Sequence, residues 1–120
     1  MSLTSTVAKG LLLGALAVGP AAAQNPGGAD AGAEDPIEQL ADRGLRLFQA
    51  GDFKGAVKAY REAYQFEPVG ALLYNIAFIY DKKLDDPLLA LDYYRRFVNA
   101  PDADRDTRLA AYERIVELTE

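Results

Sequence analysis

The chain has 120 residues, 50% hydrophobic and 26% charged, a composition that fits one small globular domain and argues against disorder throughout. It has no cysteine, histidine or tryptophan, which excludes thiol chemistry, disulfides, imidazole acid/base catalysis and zinc sites of the usual ligand types. A formal charge of −5, with no block of basic residues to neutralise phosphates, argues against nucleic-acid binding.

In chain order, residues 1–23 carry one positive side chain, Lys9, then an apolar run over 11–18, then Pro20 and the small residues Ala21, Ala22 and Ala23. This is the layout of a secretory signal peptide, with Ala21 and Ala23 as the small-x-small site and cleavage after Ala23. The apolar run is too short to span a bilayer, which takes roughly 18 or more residues, so no stable membrane insertion is expected after cleavage. Cleavage removes Lys9 and no acidic side chain, taking the net charge from −5 to −6. Residues 24–35 are rich in Gly and Ala and read as a flexible linker. Asp35 followed by Pro36 marks a helix start, because Asp accepts from unpaired N–H groups and Pro lacks the N–H that would go unpaired there.

Five helices follow on their apolar spacing, and no run alternates for long enough to predict a strand. The first carries Ile37, Leu40, Ala41, Leu45, Leu47 and Phe48 and closes at Gly51. Asp52 caps the second, which carries Phe53, Ala56, Val57, Tyr60, Ala63 and Tyr64 and stops before Pro68. The third, about 70–83, holds Leu72, Leu73, Ile76, Ala77, Ile79 and Tyr80. Asp86 and Pro87 open the fourth, with Leu88, Ala90, Leu91, Tyr94, Phe97 and Val98, and it ends before Pro101. Asp102 opens the fifth, with Leu109, Tyr112, Ile115 and Val116 expected inward and the polar remainder forming an outer face, a dimer contact being the alternative.

Landmarks recur at one period: Gly44 and Ala77 are 33 residues apart, Ala56 and Ala90 are 34, Tyr60 and Tyr94 are 34, and Pro68 and Pro101 are 33. Small residues at the crossing of paired helices make room for large ones opposite. This pattern resembles the tetratricopeptide repeat, in which a W-x2-L-G-x2-Y helix precedes an A-x3-F helix and a Pro. Leu40, Gly44, Leu47, Ala56, Tyr60 and Pro68 match the first copy, with Arg43 departing from the expected leucine. Leu73, Ile76, Ala77, Tyr80, Ala90, Tyr94 and Pro101 match the second. The resemblance implies an all-α short right-handed solenoid: a first repeat over 36–68, a second over 69–101 and a capping helix over 102–120. Two repeats are few for a continuous core, so a partner or self-association is expected to complete it.

Members of this family act as adaptors that bind a peptide or helix in a concave groove. The resemblance therefore implies partner-binding positions at Leu45, Phe48, Gln49, Tyr74, Asn75, Phe78, Asp81 and Lys82, with Ala41 nearby, and an amide at Asn75 able to bond a ligand backbone. The basic set with which some members clamp a terminal carboxylate is missing, since Ala41, Leu45 and Ala71 stand in its place. An exported bacterial adaptor, periplasmic or secreted and scaffolding an envelope protein complex, is the function implied; a self-assembling structural subunit is the alternative. An enzyme is not expected. Asp85 and Asp86 beside Lys82 and Lys83 are the best acidic cluster, and they read as a helix-capping turn. No metal or cofactor is expected.

Overall fold

The computed structural model describes residues 36–120. The expected signal peptide, the expected linker and the capping role expected of Asp35 lie outside the described residues. Among the described residues there are five α-helices and no strand: α1 Pro36–Gln49, α2 Phe53–Phe66, α3 Gly70–Lys82, α4 Pro87–Val98 and α5 Arg105–Thr119. Each helix packs chiefly on its neighbours in the chain, α1 on α2, α2 on α3, α3 on α4 and α4 on α5. The core lies between them, with Ala56, Tyr60 and Ala63 of α2, Leu73, Ile76 and Ala77 of α3, and Ala90, Tyr94 and Phe97 of α4.

The two tight turns are built alike. At the end of α1, Gly51 takes φ +87°, a left-handed conformation that costs glycine nothing, and the Asp52 N–H donates to the Leu47 carbonyl at 2.8 Å. Asp52 then accepts from Gly55 N–H at 2.9 Å and starts α2. At the end of α3 the left-handed residue is Asp85, φ +53°, and the Asp86 N–H donates to the Tyr80 carbonyl at 2.8 Å. Asp86 accepts from Leu89 N–H at 3.1 Å and, with Pro87 behind it, starts α4.

The small-against-large fit is visible at α1 and α2. A methyl group built on Gly44 would lie 2.8 Å from Cε1 of Tyr60, whose ring is 1% exposed. Ala56, Ala77 and Ala90 are fully buried, as is nearly all of Tyr94, while Pro68 and Pro101 stand exposed beyond the ends of α2 and α4.

Three expectations are corrected. Asp102 does not open α5: its carboxylate accepts from Gly70 N–H, with both oxygens at 3.1 Å, and so caps α3 from across the fold. Asp104 caps α5 instead, accepting from the Thr107 N–H at 2.9 Å and the Thr107 hydroxyl at 2.8 Å. Second, α5 docks through Ala111, Ile115 and Leu118, whereas Leu109, Tyr112 and Val116 face solvent, so its outer face is partly apolar. Third, Leu88 in the first turn of α4 is 78% exposed and joins no core.

Candidate partner-binding surface

Helices α1 and α3 bring together most of the residues expected to meet a partner. Leu45 and Phe48 lie on successive turns of α1, Tyr74 and Phe78 on successive turns of α3, and all four are half-buried. Phe48 and Phe78 meet across the two helices with ring centroids 6.5 Å apart. Phe48 also meets Phe53 edge-on at 5.4 Å, and the Lys83 ammonium sits over both rings at 5.7 and 5.6 Å. The result is a strip of part-exposed apolar and aromatic surface with a cation at one end. Ala41 is half-buried, and Gln49 and Lys82 are exposed at the ends of α1 and α3.

Tyr74 has a second task. Its ring packs edge-on against Phe97 at 5.3 Å and Tyr94 at 5.8 Å, so it braces α3 on α4 while leaving one side open.

Two expected contact residues are enclosed by the protein. Asn75 is fully buried, beside the Tyr60 hydroxyl, and the two approach without reaching hydrogen-bond geometry. Its amide is therefore closed to a ligand laid on the surface. Asp81 has a side chain only 2% exposed and receives a forked pair from Arg114 of α5, Nε to Oδ2 at 2.7 Å and Nη2 to Oδ1 at 2.8 Å. The Tyr94 hydroxyl donates to the same Oδ2 at 2.9 Å. Burial works against the Asp81 charge, but the Arg114 and Tyr94 hydrogen bonds outweigh it and hold the carboxyl below its ordinary value. Burial first, and then the Asp81 charge, push the Tyr94 hydroxyl well above its ordinary value, so it stays protonated and donates. Asp81 thus joins α3, α4 and α5, and Lys82 adds only a 3.9 Å approach from its exposed ammonium.

Sequence reasoning missed Arg114 as the partner of Asp81, because a contact between residues 33 apart leaves no local spacing signal. It also missed the exposed row Leu109, Tyr112 and Val116, although their steps of three and four residues were in plain view. A separate open depression between α1 and α2 is lined by Leu40, Arg43, Arg46, Glu62 and Phe66. Among the described residues no helix is long and apolar enough to cross a membrane, and no group of three or more acidic side chains gathers as a metal site would need. Asp85 and Asp86 are instead the turn and cap residues between α3 and α4.

Set against known protein families, curated proteins and solved structures, the chain matches none of them.

Proposed function

We propose that this is an exported adaptor of the tetratricopeptide type, with two helical-hairpin repeats and a terminal helix, that holds a short segment of another protein against α1 and α3. The observation that carries this reading is the strip of Leu45, Phe48, Tyr74 and Phe78, part-exposed and joined across two helices by the Phe48–Phe78 contact. Rigid aromatic side chains on helices offer apolar anchoring area at little entropic cost, which suits them to a partner's own apolar anchors. The repeat reading is supported by matched features in the two hairpins. Gly51 and Asp85 both take the left-handed turn, Asp52 and Asp86 both cap, and Gly44 accommodates Tyr60. The N-terminal sequence supports export to the periplasm or beyond.

The test is affinity capture with the purified protein against the Leu45→Ser/Phe78→Ala variant. Tyr74 is left intact because it braces α3 on α4. The expected outcome is a discrete set of captured proteins that the variant loses by tenfold or more while its melting curve stays cooperative. Equal recovery by both proteins ends the assignment.

A further inference from the structure

A second surface lies on α5. Helix α3 is covered by α2 on one side and α4 on the other, but α5 is covered mainly by α4. Ala111, Ile115 and Leu118 face that neighbour. Away from it, Leu109, Tyr112 and Val116 recur at steps of three and four residues, exposed by 52%, 47% and 54%. A polar terminal helix would leave no such row, and large apolar side chains grouped on one helix face mark an interaction site.

Charge decides what covers it. Asp106, Glu113, Glu117 and Glu120 follow at helical steps along one flank of the row, and all four are exposed. Glu117 is paired with Arg114, leaving the other three as net negative charge on that flank. On the other side Arg108 turns inward to the Ala103 and Ala100 carbonyls, and Arg105 stands at the N-terminal end of the row. A second copy fits poorly, because a two-fold antiparallel pairing of α5 lays this acidic flank on itself, and each copy carries −5 overall. Head-to-tail stacking fits no better: the exposed residues of α1 are Pro36, Glu38, Gln39, Asp42, Arg43, Arg46 and Gln49, with no apolar row to meet Leu109, Tyr112 and Val116.

We propose that the outward row of α5 receives an amphipathic helix of another protein, with apolar anchors bordered by lysine or arginine. Its anchors pack on Leu109, Tyr112 and Val116, its basic border lies along Asp106, Glu113 and Glu120, and an acidic residue at one end meets Arg105, which fixes its direction. This surface is separate from the α1–α3 strip.

The test uses two synthetic helical peptides matched in length to α5, with the same leucine row, one bordered by lysines and the other by glutamates. Their binding to the purified protein is followed by fluorescence anisotropy at low and moderate salt. The lysine-bordered peptide should bind at least tenfold more tightly than the other, and more weakly as salt rises. Val116→Asp should weaken it at least tenfold, and Phe78→Ala should not. Because position 116 is exposed, that variant keeps its fold, which circular dichroism verifies. Absence of binding, equal binding of the two peptides, indifference to Val116→Asp, or loss on Phe78→Ala would each overturn the proposal. So would a dimer in analytical ultracentrifugation that Val116→Asp splits, since a second copy would then be the occupant.

Discussion

Gly44 lies so close to the ring of Tyr60 that a single added methyl would approach it to 2.8 Å. Alanine would gain about 1 kcal/mol in helix propensity over glycine. Overpacking against a ring with nowhere to retreat costs about 1–3 kcal/mol. The clash should win, so Gly44→Ala is expected to lower the urea midpoint with the slope unchanged, and Gly44→Ala/Tyr60→Leu should recover part of the loss. Asp81 is the second residue on which much depends, because one buried carboxylate receives hydrogen bonds from two other helices. Its carboxyl is held below the ordinary 3.8, so its contribution to stability is present at pH values above 3.8 and disappears as pH falls through the lowered value. Thermal melts across pH should therefore show wild type well above Asp81→Asn at neutral pH, with the gap closing in strong acid. A gap that stays constant through that range would show that the carboxylate charge does not hold α5 in place.

At the scale of elements, helix ends were legible where the signal is local and illegible where it is not. Asp52 and Asp86 each sit three residues before the N–H they accept from, within reach of inspection. In the Asp102-Ala103-Asp104 stretch two residues qualify as caps, and the spacing favours neither; what separates them is Gly70, 32 residues away, which takes Asp102. The docking face of α5 was misread for a related reason. Its apolar residues fall on two faces, and Leu109, Tyr112 and Val116 are the ones left outside, where periodicity cannot tell which face has a neighbour. The strip on α1 and α3 was mostly legible, because its members recur at helical steps along each helix, yet burial of Asn75 and Asp81 depends on what packs above them. Each cap can be tested alone. Asp104→Ala should fray the start of α5, and Asp102→Ala should loosen the start of α3, each by about 0.5–2 kcal/mol. Amide exchange should place the first effect around Thr107 and the second around Gly70.

Over the whole molecule, helices that contact mainly their chain neighbours should open from the ends inward. Exchange in α3 is expected to be slowest, since its residues Leu72, Leu73, Ile76, Ala77 and Ile79 are all buried. Amides of α1 and α5 should exchange fastest. Uniform protection across the five helices would mean a single cooperative unit. Nothing in that order requires the ends to be equal, and the Arg114–Asp81 pair should make α5 the slower of the two.

The reach of Asp102 back to Gly70 has one more effect. The polypeptide enters and leaves the α3–α4 hairpin at nearly the same point in space, so residues 69–102 form a cassette with its own clasp. A chain cut at the Asp85 bend should therefore keep the two ends of this hairpin fastened, and Asp102→Ala should let them part.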